Sequence, residues 1–327
     1  LAEPGEFTRR ALEAGRMDLA QVEGLADLVA AETDLQRRQA LRQMGGALSR
    51  RIEAWRLDLI RARALLEAVI DFADEDVPED VTPEVTSLLA SVQTSLAAAL
   101  AGGRAAERVR SGFEVALIGA PNAGKSTLLN AIAGREVAIT SEIAGTTRDV
   151  IEVAMDLGGM AVTMLDTAGL RETTDTVEAI GVARARQRAE AADLRVLLDP
   201  DGDADRGLLI NGDLVVRSKA DLTGAEGGLA VSAATGDGLA ALLEAIERSL
   251  ESRVGDASEL SRLRHRKAVE GAVTAIKAAE RVVSASGPLE IAAEELRTAT
   301  TALESVIGRV DAERILDDIF SSFCLGK

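Results

Sequence analysis

Gly119-Ala120-Pro121-Asn122-Ala123-Gly124-Lys125-Ser126 stands between the apolar run Phe113-Glu114-Val115-Ala116-Leu117-Ile118 and a stretch that reads as a helix beginning near Gly124. That order of strand, glycine-rich turn and helix gives the pattern GxxxxGK[ST] its meaning. The glycines let backbone N–H groups wrap an anion at a helix N-terminus, where the helix dipole favours negative charge. Lys125 is placed to reach the β- and γ-phosphates of a nucleotide, and the Ser126 hydroxyl to ligate Mg²⁺. Further strands are predicted at 150–156, 161–165, 194–198 and 214–217, interleaved with helices and closed by a helix over Gly238–Leu250. Such alternation implies an α/β domain with a largely parallel sheet.

Downstream spacing selects the nucleotide. Asp166-Thr167-Ala168-Gly169 follows the strand ending at Leu165, so Asp166 can approach Mg²⁺ through water and the Gly169 N–H can sense the γ-phosphate. Thr147, within Gly145-Thr146-Thr147-Arg148-Asp149, offers a second Mg²⁺ ligand. Asp221, in Arg217-Ser218-Lys219-Ala220-Asp221, can accept both the N1 and the exocyclic amine protons of guanine, a donor pair that adenine lacks. Val231-Ser232-Ala233-Ala234 adds a loop for the base. The five pieces, in this order, predict a GTPase. Leu170 occupies the place where Ras-like enzymes put a water-orienting Gln, and Glu172, two residues on, is either its acidic substitute or an exposed switch-loop charge. No arginine finger is identifiable, and Asn122 is placed to help hold a monovalent cation that would supply the same charge.

The flanks differ in kind. Residues 8–110 are rich in Ala, Leu, Glu and Arg, and Leu48, Ile52, Trp55, Leu59, Leu65, Leu66 and Val69 recur at helical steps. An acidic loop is expected around Pro78, then a helix from about Pro83 to Leu100 stopped by Gly102-Gly103. From Ala257 the chain reads as helical again, with breaks at Gly287-Pro288 and Gly308. Composition narrows the function classes. One cysteine, Cys324, and one histidine, His265, disfavour disulfides and Cys- or His-based metal sites and suit a reducing cytoplasm. Aromatic residues are 2% and the net charge is −17, against base-stacking platforms and broad nucleic-acid affinity. The basic stretch Ser261-Arg262-Leu263-Arg264-His265-Arg266-Lys267 is either a nucleic-acid contact or the charged start of a helix. No apolar run approaches the roughly 18 residues of a membrane span, so no membrane partner is expected.

With its flanks, the chain resembles the tRNA-modification GTPase family MnmE, also called TrmE. The resemblance runs from Leu1-Ala2-Glu3-Pro4-Gly5-Glu6-Phe7-Thr8 through Asp18-Leu19-Ala20-Gln21 and the GTPase motifs to Cys324-Leu325-Gly326-Lys327. It implies an α/β P-loop GTPase domain, residues 112–252, inserted into an all-α helical domain made of 8–111 and 253–327. Residues 1–7 would be the exit segment of an N-terminal folate-binding domain that this sequence lacks. It also implies a cytoplasmic homodimer that works with the FAD-dependent protein MnmG. Together they would place an aminomethyl or carboxymethylaminomethyl group on carbon 5 of the wobble uridine of certain tRNAs, using a tetrahydrofolate one-carbon unit.

By motif position the resemblance gives Asn122, Ser141, Ile143 and Thr146 to K⁺, Ser126 and Thr147 to Mg²⁺, and the attacking water to Glu172. Catalysis would rest on Glu172, Lys125 and Thr147. The nucleotide would touch Asn122 to Thr127 (with Ala123, Gly124, Lys125 and Ser126 between) and the loop Ser141, Glu142, Ile143, Ala144, Gly145, Thr146 and Thr147. It would also touch Asp166, Thr167, Ala168 and Gly169, then Ser218, Lys219, Ala220 and Asp221, then Ser232, Ala233 and Ala234. Arg16 and Lys327 fall at folate contacts, and Cys324 at the cysteine needed for modification. Two departures stand out. Ser218 replaces the usual Asn of the guanine motif, which is expected to loosen a loop-bracing hydrogen bond. Pro200–Gly212 is short for the dozen residues of a helical crossover, so a helix should be shortened or missing there. A ribosome-assembly or RNA-binding GTPase switch is the competing reading, and a scaffold dimerised by GTP a third.

Overall fold

The structure is a computed structural model and describes residues 3–71, 80–135, 152–166, 186–223, 228–255 and 257–310. The chain forms two compact units, one from Leu1–Ala31, Gln36–Arg110 and Asp256–Lys327, the other from Glu32–Leu35 and Ser111–Gly255.

The helical unit draws on α1 (Glu6–Glu13), α2 (Leu19–Ala30), α3 (Asp34–Met44), α4 (Ala47–Asp71) and α5 (Thr82–Ser111). Asp18 and Gln21 form a capping box that starts α2: Gln21 N–H donates to Asp18 Oδ1 at 2.9 Å and Asp18 N–H to Gln21 Oε1 at 3.0 Å. The predicted stripe of α4 is buried at Leu48, Ile52, Trp55, Leu59 and Leu66, and the Trp55 indole N–H reaches Ser95 Oγ at 2.9 Å. Gly102 and Gly103 do not stop the following helix, which continues to Ser111. Gly103 is there for packing, since a Cβ would come within 2.9 Å of the Arg266 side chain.

The α5 helix also corrects the expectation about apolar length, because an 18-residue window within it is apolar enough to cross a membrane. Its buried residues Val85, Leu89, Val92, Leu96 and Ala99 nevertheless recur every three or four positions and line the helical core. The acidic run at 72–79 and the C-terminal stretch from 311 lie outside the described residues.

The α/β unit is a six-stranded sheet in the order β2-β3-β1-β4-β5-β6. Its strands are β1 (Phe113–Gly119), β2 (Glu152–Leu157), β3 (Met160–Asp166), β4 (Leu194–Leu198), β5 (Leu214–Ser218) and β6 (Ala230–Val231). Among the described residues all strand pairings are parallel except the β2–β3 hairpin. Helices α6 (Lys125–Ala133), α7 (Ala220–Thr223) and α8 (Leu239–Val254) follow β1, β5 and β6. Leu128, Leu129 and Ile132 of α6 and Leu242, Ile246 and Leu250 of α8 pack with Val115, Leu117, Val162 and Val196 of the sheet. The last helices among the described residues, α9 (Leu263–Ser284) and α10 (Leu289–Val306), return to the helical core.

Asp199 to Asp213, which joins β4 to β5, contains no helix. Carboxylates hold this loop instead. Asp199 Oδ1 accepts Gly202 N–H at 2.8 Å and Ala204 N–H at 3.2 Å. Asp213 accepts Ile210 N–H at 2.8 Å and pairs with buried Arg195 at 2.6 Å. Ala204, Leu208 and Leu209 then cover Ala116, Ile118 and Leu197, the sheet face a crossover helix would otherwise bury.

Candidate nucleotide-binding site

Parallel strands bring their carboxyl ends to one edge, where open α/β sheets bind ligands. The registers Leu117 with Asp166, Gly119 with Leu198 and Ser218 with Val231 put the ends of β1, β3, β5 and β6 there. Gly119 lets β1 pass β4, since a Cβ would lie 2.6 Å from Leu198 O. Asn122 and Gly124 take left-handed backbone conformations, φ 64° and 100°, which turn the loop into the N-terminus of α6.

Lys125 is buried and donates from Nζ to Gly119 O at 2.8 Å and Ala120 O at 3.0 Å, inside its own loop. Ser126 Oγ donates to Asp166 Oδ2 at 2.5 Å, while Asp166 Oδ1 is buried with no protein partner. Hydroxyl and carboxylate oxygens with a spare buried acceptor are the donor set of a hard cation such as Mg²⁺.

The base side is a cavity of about 210 Å³ lined by Ala123, Gly124, Thr127, Leu128, Ser218, Lys219, Asp221, Leu222, Val231, Ala233 and Ala234. It joins the phosphate loop to the guanine motif. Ser218 Oγ donates to Ala123 O at 2.7 Å, so the shorter side chain still braces the loop, contrary to the expectation that the hydrogen bond is loosened. Ser232 is buried; its Oγ accepts Thr235 N–H at 3.2 Å and its N–H donates to Asp237 O at 2.9 Å. This turn presents Ala233 and Ala234 to the cavity. Ala220 opens α7. Leu128 and Leu222 were not predicted to line the cavity, and only their adjacency to Thr127 and Asp221 signals them.

Ser141, Glu142, Ile143, Ala144, Gly145, Thr146, Thr147, Thr167, Ala168, Gly169, Glu172, Cys324 and Lys327 lie outside the described residues. Arg16 is exposed between α1 and α2.

The basic stretch at the start of α9 turns inward. Arg264 holds Glu23 through Nε at 2.7 Å and Nη2 at 2.6 Å, and its Nη1 donates to Val306 O at 3.0 Å. Arg262 pairs with Asp27 at 2.6 Å and Arg266 with Glu107 at 2.7 Å. His265 Nε2 lies 2.9 Å from Glu23 Oε2. Burial raises the Glu23 carboxyl, but hydrogen bonds from His265 and Arg264 outweigh it and bring the group down to about 2. Burial holds the His265 imidazole below its usual range, hence neutral.

The MnmE helical domain family matches residues 19–324. A tRNA modification GTPase MnmE of Cereibacter sphaeroides (strain ATCC 17025) is 60% identical over 329 residues, covering 100% of this chain and 77% of the relative. That of Dinoroseobacter shibae is 56% identical over 328 residues, with 100% and 76% covered. The chain belongs to the MnmE family of tRNA modification GTPases. A crystal structure of an Aquifex aeolicus Era variant bound to GDP·AlF4⁻ is 25% identical, covering 42% of this chain and 56% of that one, with a TM-score of 0.31. Family membership agrees with the fold class that the resemblance implied, an α/β P-loop unit and a helical unit in one chain.

Proposed function

We propose that this chain hydrolyses GTP within an enzyme that installs an aminomethyl or carboxymethylaminomethyl group on carbon 5 of the tRNA wobble uridine. It works as a cytoplasmic homodimer with the FAD-dependent MnmG protein, and the full-length protein supplies the tetrahydrofolate one-carbon unit. One observation carries the hydrolytic part of the reading: Asp221 and the phosphate-loop residues Ala123, Gly124 and Thr127 line a single cavity. A carboxylate facing guanine donors and a cradle of N–H groups thus share one ligand.

In this reading Asp221 takes the guanine N1 and amine protons, which fixes the nucleotide along the site. Lys125 exchanges its loop carbonyls for phosphate oxygens, a stronger charge-assisted contact. Ser126 and Thr147 would hold Mg²⁺, with Asp166 reaching it through water; the ion would supply positive charge against the charge that develops on the phosphates. Asn122, with Ser141, Ile143 and Thr146, holds K⁺, which supplies positive charge where other GTPases use an arginine. Glu172 orients the attacking water in line with the γ-phosphate. Arg16 and Lys327 contact folate, and Cys324 serves the modification step.

Steady-state hydrolysis in K⁺ and in Na⁺ tests the site. Wild type should be much faster in K⁺, and Asn122→Ala should lose the difference; equal rates in both salts would remove K⁺ from the mechanism. Mass spectrometry of wobble uridines tests the tRNA role. A deletion strain should lose the modified base and recover it with the full-length wild-type protein, and recovery with a hydrolysis-dead variant would uncouple the two activities.

A further inference from the structure

Guanine has donors at N1 and at its exocyclic amine, and acceptors at O6 and N7 on another edge. Asp221 suits the donors. The acceptors need N–H or O–H groups, and the residue at the end of β5 is where the motif ordinarily offers a carboxamide. A carboxamide has two N–H donors and a hydroxyl has one. Here that single hydrogen is committed, since Ser218 Oγ donates to Ala123 O at 2.7 Å with both residues buried. Turning it toward the base would strand a buried backbone carbonyl, which structures avoid.

We infer that this pocket selects guanine without reading N7, so that a guanine nucleotide altered at position 7 binds as tightly as GTP. The inference rests on the nucleotide reading above. The rest of the lining agrees with it. Ala123, Gly124, Val231, Ala233 and Ala234 bring no side-chain donor, and Lys219, the one cationic side chain of the lining, already has a contact within the protein. Thr127 belongs to the first turn of α6, next to Ser126 at the phosphate end. Backbone N–H groups of the loop after β6 would serve O6, and the lining holds no carboxamide to serve N7.

Competition titrations of the full chain with GTP, 7-deaza-GTP and ATP test this, because 7-deaza-GTP keeps the edge that Asp221 uses and lacks only the N7 acceptor. The wild-type protein should bind GTP and 7-deaza-GTP within about twofold of each other, whereas a pocket that spends one net hydrogen bond on N7 would lose about threefold to tenfold. Ser218→Asn, with donors to spare, should acquire that preference for GTP. A wild-type loss of about threefold or more on 7-deaza-GTP overturns the inference, whether or not the variant folds. ATP separates the two readings: binding as tight as GTP would mean that the cavity is not a guanine pocket at all, independently of N7.

Discussion

Glu23 in the helical unit and Asp166 in the α/β unit are carboxylates of nearly equal burial, 1% and 2% exposed, with opposite partners. Both oxygens of Glu23 are taken by cationic or N–H donors of its own fold, Arg264 and His265. Asp166 receives one neutral hydroxyl, from Ser126, and its other oxygen has no partner. A buried charge without a counter-charge is expensive, and one held by an arginine fork is not. Glu23 therefore locks α2 to α9, while Asp166 keeps one buried oxygen with no hydrogen-bond partner. The same group closes its own fold in one region and leaves an acceptor open in the other.

The comparison breaks most visibly at Asp166. Asp166→Asn removes the charge and keeps the shape, so kcat for GTP should fall about 10²–10³-fold, the scale of losing one preorganised electrostatic group. Its unfolding midpoint should hold or rise, because an unpaired buried charge is gone. A variant that hydrolyses GTP normally would make Asp166 a structural group like Glu23.

Glu23→Gln is the converse. It leaves Arg264 and its neighbours without their carboxylate, and losing one partner of a buried pair costs about 3–5 kcal/mol. Urea unfolding followed by Trp55, the chain's single tryptophan and part of the helical core, reports that loss directly. Single-turnover GTP hydrolysis in the folded variant should be unchanged.

Much of this was legible in the sequence, and the failures share a cause. The phosphate loop, Asp166 and Asp221 are local motifs whose spacing carries the geometry, and all three reach the same sheet edge. The longer strands show as apolar runs in the sequence, whereas Val231, expected in a loop, ends the strand Ala230–Val231, two residues being too short for any periodicity. Gly102-Gly103 resembles a helix stop until Arg266, distant in sequence, is seen to need the space. The stretch Arg262 to Arg266 looks like a basic patch because its partners Glu23, Asp27 and Glu107 lie far away in the chain. Ser218 bracing Ala123 depends on how close two loops come, which composition does not encode.

A smaller effect sharpens the Glu23 side. Its folded value of about 2 lies below the ordinary 4.5, so the stability it adds is complete above pH 4.5 and lost as pH falls toward 2. Two and a half units correspond to about 3 kcal/mol. His265 acts earlier in the same direction: the folded state keeps it neutral, whereas the unfolded chain gains a proton as pH falls below 6.5. Unfolding free energy read from Trp55 between pH 7 and 3 should decline in both stages, and Glu23→Gln should abolish the lower one. Parallel curves for the two proteins would mean that Glu23 is not the group responsible.

The cavity bounded by Asp221 and the phosphate loop should take a guanine nucleotide for hydrolysis. Replacing the acceptor carboxylate by a carboxamide tests it most directly, because xanthine offers an acceptor where guanine has its amine. With GTP and XTP compared under Mg²⁺ and K⁺, Asp221→Asn should lose GTP hydrolysis at low substrate and gain it with XTP, while wild type does the reverse. An unchanged preference for GTP in the variant would contradict the assignment of the pocket and of every contact derived from it.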